Sequence, residues 1–274
     1  MERILIFGAS GFIGQRLFRE LHPYFDVYGT FCHATAFEKN QRFCPFDIRE
    51  ESPIHIIKQL KPTIIISALR SDFPEQIIFH EILTEYITKN NIKLFFLSSA
   101  NVFDAFTNYP SYEHDKTLSE SIYGRLKIKI ENQIMRMPEH LWAILRLPMV
   151  FGAQSPRVQE MKAQLTQRIP IEIYPNSIIN VTSDKQLTRQ IHYLINRKKL
   201  GIFHLGSKDL IHHDEFVEKL VKGLSHLHPV WKRVYTSNHD RYLAMLQRDN
   251  KLPKYLQFDT EQVLSDCLGM YSKD

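Results

Sequence analysis

At 274 residues the chain is longer than a typical single domain and can bury a sizeable core, and its 43% of hydrophobic residues include no long uncharged apolar run, which excludes a membrane-spanning class. The net charge of +5 is scattered and forms no single stripe, so charge alone indicates no nucleic-acid partner, and an anionic small molecule would benefit from it equally. Three cysteines without paired spacing (Cys32, Cys44 and Cys267) suit a reducing compartment, and the thirteen histidines lack metal-ligand spacing, so no metal is expected.

The chain opens on MERILIFGASGFIG, an apolar strand running into a glycine-spaced turn and a helix. A core strand directly after Met1 leaves no room for a cleavable leader, and the expected location is the cytoplasm. Ile4, Leu5, Ile6 and Phe7 are apolar without alternation, as in a parallel strand covered on both faces. Gly8 gives the tight turn, Gly11 lets backbone approach a diphosphate, and Gly14 lets the helix pack on the strand. Ile13, Leu17 and Leu21 recur at helical spacing before Pro23. The expected cofactor contacts here are Gly8, Ser10, Gly11, Phe12, Ile13 and Gly14, with helix amides on phosphate oxygens.

Strand-like runs at 26–31, 63–69 and 94–97 then alternate with helical segments at 54–60 and 75–89, the rhythm of a doubly wound parallel α/β sheet. After residues 26–31 no acid precedes Glu38 to bond a ribose 2′-OH, and His33, Lys39 and Arg42 are near, which favours NADP, with NAD as the alternative. No arginine stands at that strand end, so the expected preference is modest. Asp47, beside Ile48, reads either as a partner of adenine or as a helix cap. Ser67 and Ala68 are small enough to line a cofactor channel at the same sheet edge.

The chemistry is expected next. Residues 94–97 deliver Ser98, Ser99, Ala100 and Asn101 to that edge, and SIYGRLK places Tyr123 and Lys127 four apart on one helix face. A phenol titrates near 10, and an adjacent ammonium should lower that value so that Tyr123 can pass a proton near neutral pH.

These stretches together resemble an extended short-chain dehydrogenase/reductase, most closely the dTDP-4-dehydrorhamnose reductase family. GASGFIG resembles its nucleotide fingerprint, SSANVFDA its catalytic strand end, YGRLKIKIEN its tyrosine–lysine helix and RLPMVFG the strand and turn that follow. GIFHLGSKDLIHHDEF and LPKYLQFDTEQVLSDCLG resemble the late parts of its substrate lobe. The resemblance implies a Rossmann domain, residues 1–152 with 181–205 returning to it, and a smaller substrate lobe of 153–180 and 206–274. It gives Ser99, Tyr123 and Lys127 the catalytic roles, with Lys127 also reaching the nicotinamide ribose, and implies an NADPH-dependent reductase of a nucleotide-activated 4-keto-6-deoxysugar. Ala100 and Asn101 replace the acidic pair of related 4,6-dehydratases, and the proline common before the tyrosine is missing. An epimerase that retains its cofactor and a non-catalytic regulatory subunit are the competing readings.

In the lobe, Asp214 is the expected N-cap of a helix over 214–223. Arg146, Arg157 and Lys162 read first as solvated surface charges and second as ligands of an anionic substrate; Asn101 is a further substrate candidate. By resemblance the chain forms a homodimer through residues 75–89 and 122–135, where Ile77, Ile78, Leu83, Ile87, Ile128, Ile130 and Ile134 exceed what one buried face requires.

Overall fold

The computed structural model describes residues 2–70 and 73–269. Its first half runs β1 (Arg3–Phe7), α1 (Phe12–Leu21), β2 (Asp26–Phe31), β3 (Phe43–Pro45), α2 (Pro53–Leu60), β4 (Ile64–Ser67), α3 (Phe73–Asn90), β5 (Lys93–Ser99), α4 (Ile122–Ile134) and β6 (Trp142–Leu147). The second half adds β7 (Met149–Phe151), α5 (Pro156–Gln167), β8 (Ile171–Ile173), β9 (Ser177–Ile179), β10 (Val181–Ser183), α6 (Asp184–Asn196), β11 (Gly201–His204), β12 (Ile211–His212), α7 (His213–Leu224), β13 (Trp231–Arg233), β14 (Arg241–Leu243) and α8 (Thr260–Leu268).

Seven parallel strands form the main sheet in the order β3-β2-β1-β4-β5-β6-β11. The order reverses between β1 and β4, the crevice where sheets of this kind hold ligands. Why β1 is apolar throughout is visible in its packing. Ile4 and Ile6 join a core under α1 and α6 with Leu17, Leu21, Leu187 and Ile191, whereas Leu5 and Phe7 join a second core with Ile57, Leu83 and Ile130 from α2, α3 and α4. The sheet is thus doubly wound, and no helix among the described residues is long and apolar enough to cross a membrane.

A third core gathers Phe151, Val158, Ile173, Phe216, Leu220 and Val263 from α5, α7, α8 and short strands. The strand pairs β8 with β13 and β9 with both β12 and β14 complete this region. The chain after residue 206 also returns to the main sheet: Leu252 and Leu256 belong to the first core, and the Asn250 and Gln247 side-chain amides donate to Ile202 O and His204 O, each at 2.8 Å. The cap expected at Asp214 lies elsewhere. β12 runs straight into α7, so His212 is the N-cap position and Asp214 stands inside the first turn, where its carboxylate accepts from Glu215 N at 2.9 Å and still complements the helix dipole.

Candidate active site

At the end of β1, Gly8 adopts φ +82°, left-handed backbone, and a Cβ there would meet Ala68 O at 2.7 Å. Gly14 is tighter, since its Cβ would stand 2.2 Å from Gly8 O. The turn is braced by Thr30, a buried residue not singled out in the sequence, whose hydroxyl oxygen accepts from Gly8 N at 3.0 Å. Its only sequence signal is a hydroxyl in an apolar strand. The amides of Ser10 and Gly11 are used within the turn, on Thr30 O and Gly8 O. Those of Phe12 and Ile13 begin α1 without an intrahelical acceptor, and no side chain caps the helix at Gly11. A Cβ at Gly11 would meet only Gly8 O, at 3.4 Å, so the missing side chain is what keeps the cradle open, and the cradle fits a diphosphate.

Beyond β2, Cys32 and His33 are exposed and Asp47 and Ile48 half-buried. Asp47 caps no helix. Arg49 seizes both its oxygens, Nη2 at 2.6 Å and Nε at 3.0 Å, which holds the carboxyl well below its usual range, and Arg49 N closes a turn on the same carboxylate at 2.9 Å. The guanidinium also lies 3.5 Å from His33 Nε2. An arginine therefore does reach the end of β2, contrary to the sequence expectation, because the turn after β3 folds it back. Cys32, His33 and Asp47 bring three potential ligand atoms within 4.8 Å of one another, but the guanidinium already covers the carboxylate.

On β4, Ser67 is 2% exposed and turned away from the edge. Its hydroxyl donates to His80 Nε2 at 2.9 Å, since His80 Nδ1 donates to Gln76 O at 2.6 Å. Burial pushes His80 down to about 3, so this relay is neutral. Ala68, half-buried, keeps its place beside Gly8.

Farther along the same edge, β5 delivers Ser98 and Ser99. Ser121 caps α4 by accepting from Gly124 N at 3.0 Å while its own hydroxyl donates to Asp104 at 2.6 Å. Gly124 permits the close approach of α4, because a Cβ there would fall 2.3 Å from Asn101 O. The helix consequently sets Tyr123 beside Ser99, close enough for the serine hydroxyl to act on the phenol. Ser99 also donates to Asn101 Oδ1 at 2.9 Å and accepts from Asn101 N at 3.2 Å, so exposed Asn101 orients the serine.

Lys127 is 4% exposed, donates to Leu97 O at 3.1 Å, and stands 4.7 Å from the Phe96 ring centroid and 5.7 Å from that of Tyr123. Burial pulls its ammonium down to about 8 against the opposing charge of Glu131. The Tyr123 phenol is raised rather than lowered. Tyr123 as a whole is 40% exposed, yet its hydroxyl end is desolvated, and burial outweighs the Arg70 charge and the Ser99 hydroxyl that favour the phenolate.

Arg146 corrects both expectations made for it. It is 2% exposed, with Nη2 on Glu131 Oε2 at 2.8 Å, Nε on Glu131 Oε1 at 3.1 Å and Nη1 on Glu113 O at 2.9 Å, so it is neither a surface charge nor a substrate ligand. A strand position in a two-faced sheet buries it whatever its charge. Arg157 is exposed in the first turn of α5 and Lys162 half-buried on the same helix. Cavities of about 440 Å³ and 530 Å³ flank segment 105–116, the first beside Phe106 and Tyr109, the second beside Tyr112, Lys208 and Arg248, and neither is lined by Ser99, Tyr123 or Lys127.

A family model described as the RmlD substrate binding domain matches residues 75–268. The chain belongs to that family. No curated protein matches it. Among solved structures, the family member's fold is similar to dTDP-4-dehydrorhamnose reductase of Bacillus anthracis in complex with NADP, at 20% identity over 96% of this chain and 97% of that one, TM-score 0.77. It is also similar to dTDP-glucose 4,6-dehydratase of the same organism in complex with NAD (16% identity, 100% and 97% coverage, TM-score 0.80) and to UDP-glucose 4-epimerase of Thermotoga maritima with UDP-glucose (17% identity, 94% and 97%, TM-score 0.73). At these identities the likeness is one of fold.

Proposed function

We propose that the chain is an NADPH-dependent reductase of a nucleotide-activated 4-keto-6-deoxysugar, with Ser99, Tyr123 and Lys127 as its catalytic residues. The observation that carries this reading is the convergence of Ser99, Tyr123 and buried Lys127, whose Nζ stands 5.7 Å from the tyrosine ring centroid, on the sheet edge that also holds the glycine cradle. Membership in the RmlD substrate binding domain family and the NADP complex of a similar structure support it.

Gly8, Gly11, Phe12, Ile13 and Gly14 would hold the dinucleotide diphosphate, Ala68 and Ile48 would flank it, and His33 with Arg49 would face a 2′-phosphate. The bound nicotinamide supplies hydride to a carbonyl carbon. Ser99 donates a hydrogen bond to the carbonyl oxygen, which takes the place of Asn101 Oδ1 as its acceptor. Tyr123 gives its proton to the oxygen as negative charge develops there. A phenol raised by burial is protonated at neutral pH, the state a donor needs, so the direction of the shift suits reduction. Lys127, predominantly charged below about 8, steadies the phenolate left behind. The third core is, on this reading, the substrate lobe.

The test is loss of NADPH absorbance with a panel of nucleotide-linked 4-ketosugars. Turnover with stoichiometric NADP release is expected; interconversion of 4-hydroxyl epimers without release indicates the epimerase, and NADPH binding without any turnover overturns the catalytic reading. The same proposal includes a homodimer through α3 and α4. Leu83, Ile87, Ile130 and Ile134 are spent inside the chain's own core, while Ile78 and Ile122 remain 57% and 63% exposed. A monomeric mass at all concentrations in light scattering would remove the dimer.

A further inference from the structure

The buried charges around α4 include one pair that the reaction above does not use. Glu131 lies one turn beyond Lys127 on α4 and is 1% exposed. Its Oε1 accepts from Ser98 Oγ at 2.5 Å and from Arg146 Nε at 3.1 Å, and its Oε2 accepts from Arg146 Nη2 at 2.8 Å. Ser98 precedes Ser99, so one carboxylate ties the strand end that carries the serine to the helix that carries the tyrosine and lysine. Arg146 extends the chain of contacts. Its Nη1 donates to Glu113 O, and the Glu113 carboxylate collects the backbone amides of Arg248, Asp249 and Asn250 at 3.0–3.4 Å.

We propose that the Glu131–Arg146 pair is a positioning unit of the active site, in which Glu131 fixes α4 against Ser98–Ser99 and supplies the negative charge that keeps the Lys127 ammonium protonated in a buried setting. An apolar pair of equal volume would fill the space at less desolvation cost, so packing alone gives no reason for charges there. The geometry gives one. Lys127 is surrounded by Phe96 and by Leu97 O on β5, and the titratable or charged groups facing it are His80 on α3, Tyr123 and Glu131 on α4, and Arg146 on β6 behind Glu131. His80 is neutral, Tyr123 is a protonated phenol and Arg146 is a cation, which leaves Glu131 as the group in that set able to favour the ammonium. Burial works in the opposite direction.

This inference rests on the reductase reading only for its consequence, and its test requires neither substrate nor cofactor. Lysine labelled at Cε with carbon-13 allows the Lys127 titration to be followed by NMR in the intact protein, its signal being assigned by loss in Lys127→Arg. Glu131→Gln should move that titration down by about one pH unit or more, as expected for removing an opposite charge one helical turn away at an effective dielectric near 20. Because Glu131→Gln strands a buried guanidinium, the double variant Glu131→Gln/Arg146→Met, which removes both charges, is measured beside it, with thermal unfolding as the check of fold. A smaller downward move is expected there, since the lost Arg146 cation offsets part of the lost Glu131 charge, and Glu131 is the charge that acts on the ammonium. A folded double variant in which Lys127 titrates as in the wild type overturns the proposal and makes the pair purely structural. In a turnover assay the alkaline limb of kcat should follow the Lys127 titration downward. If the titration moves but no nucleotide ketosugar is reduced by the wild type, the positioning role stands and the reductase reading falls.

Discussion

The two ends of the sheet's carboxyl edge are built on opposite principles. The proposed nucleotide end, at β1, β2 and β3, is made of backbone and exposed or half-buried side chains: three glycines, helix amides, His33, and Arg49 folded onto Asp47. The proposed catalytic end, at β5 and β6, is made of charges taken out of water: Lys127, Glu131 and Arg146 are each under 5% exposed and bonded to one another, to Ser98 or to backbone. A dinucleotide brings its own charge and needs a surface that yields to it, whereas a proton donor needs a fixed electrostatic setting that bulk water would erase.

That contrast can be broken in four ways, beginning with the largest effect. Tyr123→Phe should reduce turnover by ~10²–10⁴-fold while NADPH binding by calorimetry changes by no more than about twofold, because only the phenolic proton is lost. A parallel collapse of NADPH affinity would show that the two ends are not separable. Gly14→Ala should cost stability by about 3 kcal/mol in denaturant unfolding, since its methyl meets backbone at Gly8 and not a yielding side chain. Gly11→Ala, whose methyl would make only ordinary van der Waals contact with Gly8 O at 3.4 Å, should instead leave stability near wild type and weaken the dinucleotide. Equal stabilities for the two alanine variants would refute the packing account.

Acid should weaken the fold next. Burial holds His80 and His204 down to about 3, below their unfolded value of 6.5, so the unfolded chain takes up protons that the folded chain refuses. Their contribution is complete above pH 6.5 and is lost as pH falls from there toward about 3, at ~1.4 kcal/mol per histidine per pH unit. Urea unfolding at a series of pH values should show that slope, and the double variant His80→Gln/His204→Gln should flatten it. The smallest effect is expected at the nucleotide end, where Arg49→Ala should weaken NADPH about tenfold, ~1.4 kcal/mol, and leave NADH unchanged. Equal losses for both cofactors would mean that Arg49 only supports Asp47.

What the sequence by itself determined was whatever depends on neighbours in the chain. Apolar runs without alternation, the spacing of Gly8, Gly11 and Gly14, and the four-residue step from Tyr123 to Lys127 are local patterns, and the doubly wound sheet and cradle followed from them. Tertiary structure alone decided the rest, because it set partners far apart in sequence. Arg49 meets His33 only when β3 lies beside β2; Gly124 matters only when α4 reaches Asn101; and Thr30 braces a turn 22 residues away. Arg146 shows the limit most plainly. A lone arginine in a strand looks like a surface charge until the fold places Glu131, 15 residues earlier, directly against it. The direction of the Tyr123 shift was likewise beyond the pattern, since the spacing supplies a nearby lysine but says nothing of how far burial removes the phenol from water.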